Sequence, residues 1–286
     1  MRGLVIKLIS GDYTVRTSNK DFICKGRGVF RHIDQEIIVG DWVEIDINTN
    51  TIINVLPRKN RLARPSVSNV DKVFLVFSVQ EPDLNLNLLD RLISYYEYLG
   101  LEIIIIFTKL DLLSSNKYEN IINYYQSLGY KIFKTSIYES NKIEILKEFD
   151  NSISVLSGQS GVGKSSLLNA IGQDLNIKTD KISYALNRGK HTTRHVELLD
   201  ISKGLVADTP GFGTIDFEDI DEVTLSHTFV EFFKLSAKCK FNGCLHINEP
   251  GCAVIKAYNE KNILQSRYNN YLGFIKEIKE FKKNKY

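Results

Sequence analysis

The chain has 286 residues, 43% of them apolar and 25% charged, with a formal net charge of +3. This is ordinary globular composition, and the length holds one full α/β domain plus one or two small modules. The longest apolar run, Ile103–Phe107, is far too short to cross a bilayer, and no apolar stretch near Met1 reaches signal-peptide length. A cytoplasmic protein that does not engage membranes is therefore expected.

Residues 1–56 read as short strands over Leu4–Ile9, Tyr13–Thr17, Phe22–Cys24, Ile37–Val39, Trp42–Ile47 and Thr51–Val55. Gly11-Asp12, Gly26-Arg27-Gly28 and Gly40-Asp41 separate them, so a small all-β barrel is the natural solution. Arg58-Lys59-Asn60-Arg61-Leu62-Ala63-Arg64-Pro65 then forms a basic connector, readable as a solvated linker or as an RNA contact. From Val70 the pattern changes. Strands are predicted over Val73–Val79, Glu102–Phe107, Lys131–Lys134 and Ile153–Leu156, with helices over Leu88–Leu99, Tyr118–Leu128 and Ile143–Phe149 between them. Such alternation argues for a parallel sheet covered on both faces, completed by Val196–Ile201 and Leu205–Ala207. Beyond about Glu218 the chain becomes helical, ending in a long Lys-rich amphipathic helix.

Charge is unevenly spread along this order. Residues 1–66 carry 11 basic and 7 acidic side chains, residues 67–225 carry 15 and 22, and residues 226–286 carry 11 and 5. A polyanion would be met by the ends.

Gly158-Gln159-Ser160-Gly161-Val162-Gly163-Lys164-Ser165, followed by Ser166, has the pattern of a phosphate-binding loop. Glycines let backbone N–H groups curl around phosphates while the following helix, predicted over Ser165–Ala170, points its positive end at them. Lys164 would neutralise β/γ charge, and Ser165 would ligate Mg²⁺. Asp208-Thr209-Pro210-Gly211 follows a strand some forty residues later; there Asp208 can hold Mg²⁺ through water, and the Gly211 N–H can meet a γ-phosphate. Thr108-Lys109-Leu110-Asp111 closes another strand. A carboxylate at Asp111 can accept two hydrogen bonds from guanine that adenine cannot offer, and the Lys109 stem can lie along the purine. Thr135-Ser136 is a weaker candidate for the guanine carbonyl. Between phosphate loop and Asp208 lies Arg188–His195, where Thr192 or Thr193 could complete Mg²⁺ coordination.

Cys239, Cys244, His246 and Cys252 place three thiols and an imidazole within fourteen positions. That set suits one tetrahedral, structural Zn²⁺ per chain with no open position, and His227 stands as a disfavoured fallback ligand. A secreted disulfide framework is not indicated, since only Cys24 lies elsewhere.

The guanine motif precedes the phosphate loop, the reverse of the usual order. Circular permutation of a parallel sheet is tolerable because termini can be joined and reopened at surface loops. The constellation resembles the ribosome small-subunit-dependent GTPase A family over essentially the whole chain. It rests on Arg61–Asp71, Thr108–Asp111, Gly158–Ser166, His191-Thr192-Thr193, Asp208–Phe212 and the Cys/His set. The resemblance implies an N-terminal OB barrel (1–66), a circularly permuted P-loop GTPase domain (67–217) and a C-terminal helical zinc-binding domain (218–286). It further implies a GTPase that binds the 30S subunit and 16S rRNA late in subunit assembly, turns over GTP to GDP faster when bound, and acts as a monomer. Thr108 stands where Asn is usual, and Phe212 where many GTPases place a water-orienting Gln. His195, His191 or Thr193 is the candidate for assisting the attacking water. The rival expectation is an RNA-binding assembly checkpoint protein whose hydrolysis is incidental.

Overall fold

Strands β1 (Arg2–Ile9), β2 (Asp12–Arg16), β3 (Asp21–Gly26), β4 (Trp42–Asp46) and β5 (Thr51–Val55) follow the glycine-punctuated pattern of the N-terminal region. They run in the order β1-β2-β3-β5-β4, and β4 returns to β1 through Arg2/Glu44, Gly3/Val43 and Leu4/Trp42. That return closes the barrel and removes its edges. Val5, Val15, Cys24, Val43, Ile45, Ile52 and Val55 alternate inward to form its core. The computed structural model describes residues 1–27, 36–63, 65–112, 118–136, 141–173, 196–208 and 215–284, with Ser165, Ala170, Gly172, Gln173, Asp208 and Asn284 described by their backbone alone.

The strand expected at Ile37–Val39 is not one. The Asp41 carboxylate accepts from the Ile38 N–H at 2.9 Å, so a side chain meets a donor that a ladder would otherwise have met. Asp41 is fully buried and also takes Arg58 Nε at 2.7 Å and the Ser68 hydroxyl at 2.6 Å. The basic connector is thus held down rather than free: Lys59 pairs with Asp71 and Arg61 with Glu36. Its ends form a small hairpin of β6 (Arg61–Leu62) and β7 (Val67–Ser68).

Two compact units are distinguished, described residues of 1–73, 141–156 and 164–213 forming one and those of 74–140, 157–163 and 214–286 the other. In the first, beside the barrel, lie β11 (Ile153–Ser157), β12 (Glu197–Ile201) and β13 (Gly204–Asp208), with helices α3 (Lys142–Lys147) and α4 (Lys164–Gln173). β11 and β13 are parallel. β12, expected to complete a parallel sheet, is antiparallel to β13. Only Ser202-Lys203 separates them, and a two-residue link joins antiparallel strands alone. The outer side of β12 meets β1 through Lys7 and Glu197, and Arg16 reaches Asp200 at 2.5 Å. Barrel and α/β segment therefore share one sheet within this unit.

The second unit sets β8 (Lys72–Ser78), β9 (Glu102–Thr108) and β10 (Lys131–Lys134) side by side, β9 and β10 parallel. Residues 73–77 and 103–107 are almost completely buried, as unbroken apolar runs in a doubly covered sheet must be. Helices α1 (Leu86–Tyr98) and α2 (Glu119–Ser127) follow β8 and β9. Asn85 caps α1 through the Leu88 N–H at 2.9 Å. The C-terminal region is helical as expected: α5 (Glu222–Thr228), α6 (Val230–Ser236), α7 (Ala253–Asn259) and α8 (Gln265–Asn284). A fully buried Arg267 on α8 bonds Asp90 of α1 at 2.6 Å and Glu231 of α6 at 2.5 Å.

Candidate functional site

The turn after β11 has glycine where nothing else fits. Gly158 has φ +140°, and a Cβ there would stand 2.0 Å from the Val76 carbonyl oxygen of β8. Gly161 and Gly163 take φ +82° and +95°, left-handed conformations in which L side chains are strained. The three glycines thus bend the backbone into an open curl that ends in the first turn of α4 at Lys164. Burial pushes the Lys164 ammonium down from 10.5 to about 8. A cation disfavoured in this way gains most from an anionic partner such as a phosphate.

Thr108 closes β9, and its hydroxyl donates to the Val162 carbonyl at 2.6 Å. The side chain that stands in place of the usual Asn therefore spans to the phosphate loop. Lys109 is left-handed at φ +60°, and its ammonium donates to the Glu81 carbonyl. Leu110–Leu112 then makes one 3₁₀ turn, which leaves Asp111 half-buried. The Leu110 N–H reaches the Thr135 carbonyl at 3.4 Å, and the Thr135 N–H reaches Phe107 at 2.8 Å. The carboxyl ends of β9 and β10 are thus tied together, where open α/β sheets collect ligands. Sequence reasoning missed the loop over Gln80–Asn85, whose Pro82 carbonyl accepts from Ser78 at 2.6 Å. Pro82 Cδ also lies 3.7 Å from the position of a Gly161 Cβ. Its signal was Glu81-Pro82-Asp83, a turn between a strand and a helix cap.

In the C-terminal helices, the ligand atoms of Cys239, Cys244, His246 and Cys252 all lie within 4.8 Å of one another. Cys239 Sγ is 3.9 Å from Cys252 Sγ and 3.7 Å from His246 Nδ1, and His246 Nδ1 is 3.3 Å from Cys252 Sγ. These are close to the edges of a tetrahedron with bonds of about 2.3 Å to sulfur and 2.0 Å to nitrogen. All four cysteines are free thiols. The Ala253 N–H points at Cys239 Sγ and the Ile255 N–H at Cys252 Sγ, both at 3.4 Å, as donors toward thiolates do. Burial pushes the Cys244 thiol up to about 12, a penalty that a bound cation would offset by stabilising the thiolate. Glu249 braces the loop by accepting from the Leu245, Ile247 and Asn248 N–H groups. His227 is exposed and packs edge-on against Phe233, outside this group.

Family comparison agrees with this geometry. The family described as RsgA GTPase matches residues 55–218, and the RsgA N-terminal domain matches residues 2–52. The chain belongs to the RsgA GTPase family. Among curated relatives, the Small ribosomal subunit biogenesis GTPase RsgA of Halalkalibacterium halodurans is 45% identical, covering 100% of this chain and 99% of its own. That of Geobacillus sp. (strain WCH70) is 47% identical over 98% of each chain. Among solved structures, YloQ, described as a circularly permuted GTPase, superposes with a TM-score of 0.81 at 37% identity, covering 98% of this chain and 95% of its own. YjeQ from Thermotoga maritima gives 0.81 at 36% identity, covering 97% and 98%.

As a member of the RsgA GTPase family the chain is a GTP hydrolase, with an N-terminal β-barrel, a circularly permuted GTPase fold and a Cys₃His cluster near the C-terminus. No helix among the described residues is long and apolar enough to cross a membrane. Asp208 closes β13 opposite Glu197. His191, Thr192, Thr193, His195, Gly211 and Phe212 lie outside the described residues.

Proposed function

We propose that this chain binds GTP and hydrolyses it as a nucleotide-controlled switch in late maturation of the 30S ribosomal subunit. The observation that carries the reading is the Thr108–Val162 hydrogen bond, which links the base-reading motif to the phosphate loop. Gly158–Ser166 would cradle the phosphates and Lys164 hold their charge, while Asp111 reads guanine through its carboxylate. Mg²⁺, when bound with GTP, neutralises developing charge on the phosphates; Ser165 and Thr193 or Thr192 would ligate it, with Asp208 and Gly211 beside the γ-phosphate. His195, His191 or Thr193 would assist the attacking water, because the aromatic Phe212 cannot orient it by hydrogen bonding. The Cys₃His cluster would hold one Zn²⁺, whose preference for four soft or borderline donors matches the set.

The relatives' names, Small ribosomal subunit biogenesis GTPase, support the small subunit as the partner. We assign 16S rRNA contact to the basic flanks, and divide the chain into residues 1–66, 67–217 and 218–286. The chain would work as a cytoplasmic monomer. Phosphate release measured with and without small subunits tests the switch. Stimulation is expected, and its loss in Lys164→Ala together with nucleotide binding; equal rates with and without subunits would refute it. The basic flanks favour a second reading, an RNA-binding checkpoint protein with incidental hydrolysis. That reading predicts equal small-subunit affinity with GDP and with a non-hydrolysable GTP analogue.

A further inference from the structure

Between Glu231 and Glu249 the chain carries three lysines and no carboxylate across the 17 residues 232–248. This segment runs from α6 into the loop that bears Cys239 and Cys244. Phe232 is fully buried, as a helix-borne Phe ordinarily is, but Phe233 and Phe241 are 56% and 46% exposed. Each exposed ring is braced by a neighbour: the His227 ring lies 5.2 Å from Phe233, and the Lys240 ammonium 5.5 Å from Phe241. Lys234, Lys238 and Lys240 are all exposed. The Lys240 N–H donates to the Gly251 carbonyl at 3.2 Å, which ties this part of the loop to the turn before α7.

Two kinds of partner use exposed aromatic rings, and charge separates them. Protein–protein interfaces enrich aromatics but deplete lysine. Single-stranded nucleic acid calls for both, cations for phosphates and π-faces for unstacked bases. Duplexes keep their bases stacked and offer such rings nothing to bind. We infer that Phe241, with Lys238 and Lys240, forms a stacking surface for unpaired RNA bases on the metal-bearing module. The inference rests on the small-subunit reading above and specifies which RNA chemistry this end of the chain meets.

The chain has one tryptophan, Trp42, so the full-length, metal-loaded protein carrying Trp42→Phe and Phe241→Trp reports from position 241 alone. Titration with a twelve-nucleotide single-stranded RNA should quench its fluorescence, whereas duplex RNA of equal charge should not. Phe241→Ala should weaken single-strand binding about fivefold to a hundredfold with the salt slope unchanged, the effect of losing one base stack. Lys240→Ala should reduce the slope of log affinity against log salt by about 0.7. Absence of quenching, or equal quenching by duplex, overturns the inference. So does a Phe241→Ala variant that loses small-subunit binding but keeps single-strand binding, which would assign the ring to a ribosomal protein. If Phe241→Ala loses metal, the Phe241→Trp quenching decides alone. Small-subunit stimulation of phosphate release, measured in parallel, separates the readings: stimulation without quenching rejects this surface only, and quenching without stimulation rejects only the switch.

Discussion

At Lys164 and Thr108 the proposed roles rest on single atoms, and each has its own signature. Lys164 is held at about 8 by burial, below its ordinary 10.5. Between those values the unfolded chain binds a proton that the folded, nucleotide-free chain does not, so this group makes stability rise with pH across the window. In the proposed site nucleotide binding should respond the opposite way, because the phosphates would need the ammonium. GDP affinity should therefore fall above pH 8, by up to about tenfold per pH unit. Calorimetric titration from pH 7 to 9.5 checks this, and Lys164→Met should flatten the profile. At Thr108, replacement by Val keeps the shape and removes the donor to Val162. An unmet buried acceptor costs about 1–3 kcal/mol, so Thr108→Val should lower stability by that amount in denaturant unfolding. Unchanged stability would show the bridge to be incidental. Both motifs were legible in the sequence because the chemistry needs contiguous residue types. The bridge was not legible beyond Thr108 standing where Asn is usual, since its acceptor sits 54 residues away.

At the scale of elements, two clusters order the C-terminal helices. Arg267 is fully buried with Asp90 and Glu231, and Tyr125 and Asn270 complete the hydrogen bonds of Asp90. Burial pulls the guanidinium down, yet Glu231 and Asp90 outweigh it and hold its pKa well above the ordinary range. Removing one partner of such a group strands the others, so Arg267→Met should destabilise by about 3–5 kcal/mol in denaturant unfolding. A loss below 1 kcal/mol would mean that the helices pack without it. The Cys₃His cluster is the second tie. Elemental analysis should find one zinc per chain, and chelation should lower the melting temperature, because metal affinity is folding free energy here. Cys252→Ser should reproduce both effects. The four clustered side chains were readable since they fall within fourteen positions. The Arg267 network was not: its members come from α1, α2, α6 and α8, and an arginine in a Lys-rich helix looks like any solvated cation.

Across the whole molecule, the joining of barrel to α/β segment has a consequence for solubility. β1 covers the side of β12 that faces away from β13. Deleting residues 1–56 would uncover that strand, an open edge ready to pair with another chain. The truncated protein should aggregate, detectable by light scattering, whereas Arg16→Ala in the full chain should cost no more than about 1 kcal/mol because its pair with Asp200 is exposed. By itself the sequence determined the barrel, the circularly permuted GTPase fold and the Cys₃His quartet, and it pointed to Gly158–Ser166 and Thr108–Asp111 as candidate phosphate- and base-reading segments. Each is written in neighbouring residues whose types are dictated by backbone conformation, strand period or ligand chemistry. Only the tertiary structure decided that β12 runs antiparallel, that β1 joins it, that Asp41 replaces an expected strand with a buried anchor for Arg58, and that Arg267 lies at the centre of the helices. These depend on which distant segments meet, and local periodicity carries no record of a partner's address.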